Sequence, residues 1–464
     1  MSQLIRTPRT AGLAAAVSVL GLVAAGCTGA GAITGTPGAT TLTVAIVANP
    51  QMRDMERLTP EFERSHPGIR VRYVTLPENA ARQKITESVA TGSREFDVVM
   101  ISNYETPMWA GNGWLTDLQP LADRTPDYDP GDFIGPVRTS LSYRGHLYSV
   151  PFYGESSFLM YRKDLFAAQR LTMPAHPTWR QVAAFARRLH APRQGRAGIC
   201  LRGAPGWGEV LAPLNTVINT FGGRWYDLRW RARLTSPAVR RAVGFYVGLV
   251  RRAGEPAAAT AGFTECATVF AQGNAALWYD ATSAAGLLED PADSKVVGKV
   301  GYAAAPVEKK AWSGWLYSWS LGIPRTTVHR DAAWKFLAWA TSRDYIRLVG
   351  RRLGWSRVPP GSRESTYALP QYRKVSRAFS GPTLAAMRHA DPEHPTVQPV
   401  PYTGVQFLDI PEFQDLGTRV SRQINAAIAG QQSVGAALDQ SQQYAQTVGR
   451  DHRRPGRREA PGGR

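Results

Sequence analysis

Hydrophobic residues near the start of the chain follow the periods of alternating strands and helices. Residues 41–47 are apolar and β-branched, and residues 69–76 alternate apolar and polar positions, so both predict strands. An amphipathic stretch lies between them, and residues 80–90 predict a further helix. The apolar run 96–101 is typical of a strand buried on both faces of a parallel sheet. This alternation indicates an α/β fold.

Helical spacing returns later in the chain. Ser236 and Pro237 predict a helix start, and the valines that follow at helical intervals predict a buried face. Residues 331–340 repeat this pattern, and residues 412–443 predict further helix. At 464 residues the chain exceeds what one hydrophobic core usually supports, so two lobes are expected.

The first 27 residues differ from the rest. Arg6 and Arg9 precede an uncharged stretch of fifteen residues, which as a helix covers about 22 Å and is too short for a bilayer core of about 30 Å. Residues 1–27 therefore predict a secretory signal. The ending LVAAGC resembles a bacterial lipobox, which implies lipidation of Cys27, although Ala24 replaces the usual Leu, Val or Ile. A secretory peptide with an incidental cysteine is the alternative. Residues 28–40 predict a flexible tether.

The charge pattern argues against a nucleic-acid partner. The net charge is +19, of which the tail from Arg450 contributes +4, and the other arginines are scattered along the chain. A nucleic-acid footprint would be clustered. Residues 448–464 predict a disordered basic tail, for which contact with anionic lipid is an open alternative.

Two cysteines remain after Cys27. Because an export signal implies an oxidising compartment, Cys200 and Cys266 are candidates for a disulfide, and the sequence leaves their pairing open. The chain has no Cys-x-x-Cys or His-x-x-x-His spacing, so we predict no metal site and no cofactor.

Eight segments together resemble the periplasmic sugar-binding proteins of ABC importers, in particular the subgroup associated with sorbitol and mannitol. The segments are TLTVAIVANP, EFDVVMISNYETPMWAGNGWLTDL, LYSVPFYGESSFLMYRKDLF, ICLRGAPGWGE, FGGRWYD, ALWYDATSAAG, GWLYSWSLGIP and IPEFQDLGT. The resemblance implies a two-lobed type II periplasmic-binding-protein fold, which is an α/β fold with a ligand cleft. One lobe would comprise residues 41–152 and about 303–355, and the other residues 153–302 and about 356–447.

The same resemblance implies a function and its partners. The protein would capture a sugar or sugar alcohol by lobe closure and deliver it to the permease subunits of an importer with a cytoplasmic ATPase. It would be a monomer, held by lipid at the extracytoplasmic face of the cell membrane, and not an enzyme. Chain crossings between the lobes are expected near 148–154 and 303–306.

Aromatic side chains supply the first half of the expected site. A sugar has weakly apolar C–H faces that rest on aromatic rings and hydroxyls that need polar partners. In an extended strand Trp315, Tyr317 and Trp319 project from one face, and Trp207 lies in a glycine-rich loop. Ordinary core packing is the alternative for two of the strand aromatics.

Polar residues supply the second half. Ionised carboxylates accept strong hydrogen bonds from hydroxyls, and the resemblance places Glu155 and Asp280 at the cleft. A helix N-cap is the alternative for Asp280. Asn49 and Tyr104 follow strand ends, where ligands bind in α/β folds. Tyr153 and Arg202 are further candidates. For these two residues and for Tyr104 the alternative is a side chain without a functional role, since partly exposed Tyr and Arg are common.

Two other functions remain open. A lipid-anchored glycoside hydrolase would use the same aromatics, with Glu155 and Asp280 as acid and base. Against it, the order of elements does not suggest eight repeated βα units. An envelope scaffold protein would need no ligand, and the basic tail keeps that alternative open.

Overall fold

The computed structural model describes residues 38–453. The predicted signal, Cys27, most of the tether and residues 454–464 lie outside this range. Seventeen α-helices lie within it: α1 (Pro50–Ser65), α2 (Glu78–Ala90), α3 (Glu105–Gly111), α4 (Gln119–Asp123), α5 (Gly135–Ser140), α6 (Lys163–Ala168), α7 (Trp179–Leu189), α8 (Leu211–Thr220), α9 (Pro237–Ala253), α10 (Phe263–Ala271), α11 (Ala285–Leu288), α12 (Arg330–Ala340), α13 (Arg343–Arg352), α14 (Pro370–Ser376), α15 (Ser380–His389), α16 (Phe413–Ile428) and α17 (Val434–His452). Each helix in the described range is too short or too polar to span a bilayer.

The strands form two larger sheets and a small hairpin. In the described range they are β1 (Thr40–Val47), β2 (Ile69–Leu76), β3 (Val98–Ser102), β4 (Ser142–Tyr143), β5 (His146–Leu147), β6 (Ser149–Glu155), β7 (Ser157–Arg162), β8 (Leu277–Ala281), β9 (Val300–Ala304) and β10 (Tyr317–Gly322). The five-stranded sheet has the order β2-β1-β3-β10-β6, and the three-stranded sheet has the order β8-β7-β9. Strands β1, β2 and β3 are parallel, whereas β10 is antiparallel to both its neighbours.

Local sequence signals explain where the first elements begin and end. Asn49 caps α1, because its side-chain oxygen accepts a hydrogen bond from the backbone N–H of Met52 at 2.9 Å. All five residues of β3 are buried, as its continuous apolar run predicted. The predicted helix at Pro237 is present, but the Ser236 side chain makes no capping hydrogen bond. The α/β fold expected from these periods is confirmed.

The C-terminal region differs from the sequence expectation. The segment 412–443 belongs to two helices, α16 and α17, and the second continues to His452. Residues 448–452, which composition assigned to a disordered tail, are therefore helical. The reason is tertiary packing: the His452 ring stacks on Trp230 with centroids 3.9 Å apart. The rest of that basic tail lies outside the described residues.

The chain passes between the two sheets at two places. Strand β6 ends in the five-stranded sheet at Glu155, and β7 begins in the other sheet at Ser157. The return runs through residues 305–316, between β9 and β10. Glycine is required beside the first passage, since a Cβ on Gly154 would lie 2.3 Å from the Gly361 carbonyl oxygen. The lobe boundaries themselves stay a prediction.

A disulfide between Cys200 and Cys266 braces the second sheet. Their Cα atoms are 5.6 Å apart, and the Cys200 N–H donates to the Leu277 carbonyl of β8 at 2.8 Å. Cys266 lies on α10. The bond therefore ties α10 to the segment that leads from Cys200 into the site described next.

Candidate ligand-binding site

A cavity of about 290 Å³ lies where the two sheets face each other. Both the five-stranded sheet, through β1, β6 and β10, and the segments beside the three-stranded sheet supply its walls. Six of the eight predicted ligand residues line it: Asn49, Glu155, Trp207, Trp315, Tyr317 and Trp319. A larger surface depression of about 1310 Å³ lies near the opposite ends of β1 and β2 and contains none of the predicted residues.

The aromatic wall comes from β10 and the residues just before it. Trp315, Tyr317 and Trp319 all line the cavity, and the rings of the last two meet edge to face at 5.3 Å. The indole N–H of Trp315 is buried and has no hydrogen-bond partner among the described residues. Trp312 lies apart from this wall, because it stacks on His389 at 3.8 Å and is 37% exposed.

Arg82 occupies the centre of one wall. Its guanidinium lies over the rings of Trp207 and Trp319, at 4.2 and 4.5 Å from their centroids. Its nitrogens also donate to Glu78 and Glu105, each at 3.0 Å, and to the Tyr317 hydroxyl. This buried cation therefore holds aromatic and acidic side chains from several elements in fixed positions.

Arg202 likewise holds neighbouring groups in fixed positions on the other side of the cavity. Its guanidinium binds the Asp280 carboxylate in a bidentate pair at 2.9 and 2.6 Å, and donates to the Gly208 carbonyl at 2.8 Å. Arg202 lines the cavity, whereas Asp280 is fully buried behind it and outside the lining. Asp280 also accepts from the backbone N–H of Ala281. The structure thus places Asp280 one layer away from the cavity.

Two glutamates line the cavity with perturbed acidity. Glu155 accepts from the Ser283 hydroxyl at 2.5 Å, and burial raises the pKa of its carboxyl to about 8. Burial likewise raises the pKa of Glu209 to about 8, and the nearby Glu78 carboxylate adds to that shift. Burial therefore favours the neutral form of both carboxyl groups, and a neutral carboxyl is able to donate as well as accept.

The remaining predicted residues have structural partners. The Asn49 amide caps α1 and also donates to the Tyr153 hydroxyl at 3.1 Å, at the cavity edge. The Tyr104 hydroxyl donates to the Ile410 carbonyl at 3.0 Å, and its ring packs 4.9 Å from that of Trp207. Tyr104 lies outside the cavity lining, behind Trp207.

Several polar lining residues were not predicted from the sequence, among them Glu78, Arg82, Glu209 and Gln406. Glu78 follows the carboxyl end of β2, so the strand-end rule that selected Asn49 also applies to it. Arg82 lies one helical turn later. Gln406 lies in an irregular segment between α15 and α16 that carries no periodic signal, and its buried side-chain oxygen has no partner among residues 38–453.

Comparison with known proteins identifies the family. The profile described as "Bacterial extracellular solute-binding protein" matches residues 49–346. The chain belongs to this family. It is 44% identical over 407 residues to the mannitol-binding protein of Pseudomonas aeruginosa, an alignment that covers 88% of this chain and 92% of that protein. It is 23% identical to the erythritol/L-threitol-binding protein of Mycolicibacterium smegmatis, over 66% and 67% of the two chains.

Solved structures agree with this assignment. The ABC transporter solute-binding protein of Agrobacterium vitis with bound D-mannitol superimposes with a TM-score of 0.88 and 45% identity, over 90% of this chain and 100% of that one. The protein of Agrobacterium radiobacter in complex with ribitol gives a TM-score of 0.76 and 25% identity, over 89% and 100%. The type II fold and the resemblance to the polyol-binding subgroup are confirmed. The chain is a solute-binding protein of the ABC transporter type and not an enzyme, which disfavours the hydrolase and scaffold alternatives.

Proposed function

We propose that this protein captures a hexitol, with mannitol as the leading candidate, and delivers it to the permease subunits of an ABC importer. The observation that carries the proposal is a cavity that combines an aromatic wall with unpaired polar atoms. The identity to proteins named for mannitol supports the choice of ligand.

The chemistry of the cavity suits a linear polyol. Each hydroxyl both donates and accepts, so it is able to satisfy the Trp315 indole N–H and the Gln406 side-chain oxygen, which have no partner within residues 38–453. The C–H groups of the ligand would rest against Trp207 or Trp319. The neutral carboxyl of Glu155 would exchange hydrogen bonds with a further hydroxyl.

Ligand-driven closure of the cleft would follow because the residues of the site come from two different sheets and the segments beside them. Tyr317 and Trp319 belong to the five-stranded sheet, whereas Arg202 and Trp207 follow the segment that bridges to β8 of the other sheet. A ligand that contacts both groups binds more tightly when they are close together, so it shifts the population towards the closed state. The importer would then recognise the closed protein.

The membrane partner is also a proposal. Cys27, which lies outside the described residues, would carry lipid and hold the protein on the extracytoplasmic face, beside permease subunits served by a cytoplasmic ATPase. Metabolic labelling with a tagged fatty acid tests this, since Cys27→Ser should abolish the label. Retention of the label in that variant would show that lipid is attached elsewhere.

Calorimetric titration of the chain from residue 28 onwards tests the ligand. We expect mannitol to bind and to raise the melting temperature, because a ligand that binds only the folded state stabilises it. Trp207→Ala should weaken binding by roughly 30-fold or more, the cost of removing a buried aromatic anchor. Trp312→Ala is the matched control and should bind normally, since that indole stacks outside the cavity. Binding of no hexitol by the folded parent protein would refute the proposal.

A further inference from the structure

The side chain of Arg357, in the segment between α13 and α14, bridges acidic residues from two separate parts of the fold. Its Nε and Nη2 atoms donate to the two carboxylate oxygens of Asp54 on α1, at 2.9 and 3.0 Å. Its Nη1 atom donates to Asp290 at 3.0 Å and to Asp293 at 2.7 Å, in the segment between α11 and β9. One guanidinium therefore holds three carboxylate groups in fixed positions.

The two sets of partners belong to different sheets. Helix α1 packs on the five-stranded sheet, where the Thr59 and Tyr73 hydroxyl groups form a hydrogen bond at 2.6 Å. The segment after α11 packs on the three-stranded sheet, where the Tyr302 hydroxyl of β9 donates to Glu289 at 2.9 Å. The ion pairs of Arg357 therefore connect elements of one sheet to elements of the other.

Both of the connected parts also supply residues of the ligand cavity. Asn49, which caps α1, and Ser283, which lies just before α11, each line it. The chain just after Arg357 also contacts the first passage between the sheets, because the Gly154 N–H donates to the Pro360 carbonyl at 2.9 Å. A rotation of one sheet against the other would therefore move the partners of Arg357 and the cavity walls together.

Burial strengthens these ion pairs. The side chain of Arg357 is 16% exposed, and those of Asp54 and Asp290 are 5% and 9% exposed, whereas Asp293 is partly exposed. Arg57 also lies 3.5 Å from Asp54, but its side chain is exposed and contributes little. Removal of Arg357 alone would leave buried carboxylates without a close cation.

We propose that Arg357 is a positioning residue of the ligand site, which holds the two walls of the cavity at the spacing that a hexitol needs. Arg357 lies outside the cavity lining, so it acts on the ligand through the elements that carry Asn49 and Ser283. The ion pairs pre-organise the two walls in the free protein, which lowers the cost of binding. This inference rests on the proposed binding of a hexitol.

Calorimetric titration with mannitol compares two variants of the chain from residue 28 onwards, well below their melting temperatures. Arg357→Met should weaken binding by roughly tenfold or more, because the binding-competent arrangement would be populated less. It also leaves three carboxylates without their cation, so it should lose stability. The quadruple variant Arg357→Met/Asp54→Asn/Asp290→Asn/Asp293→Asn removes those charges as well. We expect it to regain most of the lost melting temperature, whereas its mannitol affinity should stay as low as that of Arg357→Met.

Arg343→Met is the matched control. Arg343 lies on α13 and also pairs with two aspartates, Asp129 and Asp132, but both of these lie in one short segment before α5. Helix α13 packs on β6 of the five-stranded sheet. This variant therefore removes two ion pairs without disconnecting the two sheets, and its mannitol affinity should equal that of the parent protein.

Small-angle X-ray scattering without ligand gives a second test. Disconnected sheets should sample a wider range of separations, so the radius of gyration should increase in both Arg357 variants and stay unchanged in Arg343→Met. Parent-like mannitol affinity in the quadruple variant would overturn the inference, because Arg357 would then serve only to compensate charge. An unchanged radius of gyration in both Arg357 variants would also overturn it. A parent protein that binds no hexitol would instead refute the proposed function, and the scattering result would still decide the role of Arg357.

Discussion

Replacement of Asp280 by alanine separates a structural role from direct ligand contact. Asp280 is fully buried and accepts two hydrogen bonds from Arg202, at 2.9 and 2.6 Å. It also accepts from the Trp278 indole at 3.2 Å and from the Ala281 N–H at 2.7 Å. Asp280→Ala removes all four bonds at once and leaves the Arg202 guanidinium buried beside Glu209. We therefore expect the variant to lose stability even when no ligand is present.

The size of the loss follows from the buried ion pair. Removal of one partner from such a pair costs about 3–5 kcal/mol, since the remaining charge stays buried without compensation. Unfolding entropy of about 2.1 cal/mol/K per residue gives roughly 0.9 kcal/mol/K for residues 38–453, so the melting temperature should fall by about 3–6 °C. The double variant Arg202→Met/Asp280→Leu should lose less than Asp280→Ala, because both members of the bidentate pair are removed together.

Thermal unfolding followed by circular dichroism without ligand is the assay. Asp415→Ala provides the control, because that carboxylate is 73% exposed in its pair with Arg419 and should leave the melting temperature unchanged. If Asp280→Ala melts like the parent protein but no longer binds mannitol, the structural reasoning is wrong. Asp280 would then contact the ligand directly, as the sequence predicted.

Three further perturbations test other parts of the structure. Asn79→Ala removes a 3.0 Å hydrogen bond to the Pro205 carbonyl across the cleft. In stopped-flow measurements we expect the ligand dissociation rate to rise about 2- to 10-fold while the association rate stays unchanged. A slower association rate with unchanged dissociation would contradict this. Replacing Cys200 and Cys266 with serine removes a disulfide between residues 66 positions apart. The free energy of unfolding, measured with urea, should fall by about 4 kcal/mol. An unchanged urea midpoint would refute this prediction. Because burial raises the pKa of Glu155 from 4.5 to about 8, ionisation opposes folding: stability without ligand should decline as pH rises from about 4.5 to about 8, and Glu155→Gln, with no such group, should show a smaller decline.

Local sequence signals were sufficient for most of the regular structure. The apolar run of β3 predicts a buried strand, and the Asn49-Pro50 pair predicts the start of α1. Both signals depend on neighbouring residues alone. The end of α17 was not predictable in this way. Its last residues are rich in charge, and they stay helical because His452 stacks on Trp230, a contact between positions far apart in the chain.

The site was predictable only in part, for the same reason. The aromatic spacing of Trp315, Tyr317 and Trp319 and the glycine-rich surroundings of Trp207 are visible in the sequence, and all four line the cavity. The role of Arg82 in the site could not be predicted from the sequence, because it depends on aromatic rings and a carboxylate that other elements place around its guanidinium. The position of Asp280 behind Arg202 likewise depends on a pair that only the folded chain assembles.

The distribution of hydrogen bonds explains why such a cavity selects hydroxyl groups. The protein itself supplies hydrogen-bond acceptors for the buried guanidinium groups of Arg82 and Arg202, so neither group needs an acceptor from a ligand. Among the residues that line the cavity, two buried side-chain atoms have no partner within residues 38–453: one donor, the Trp315 indole N–H, and one acceptor, the Gln406 side-chain oxygen. A buried polar group without a partner costs about 1–3 kcal/mol. The hydroxyl groups of a polyol would pair with both atoms, because each hydroxyl donates and accepts. An analogue that lacks the matching hydroxyl would leave the two atoms unpaired, so a site of this kind discriminates strongly against that analogue.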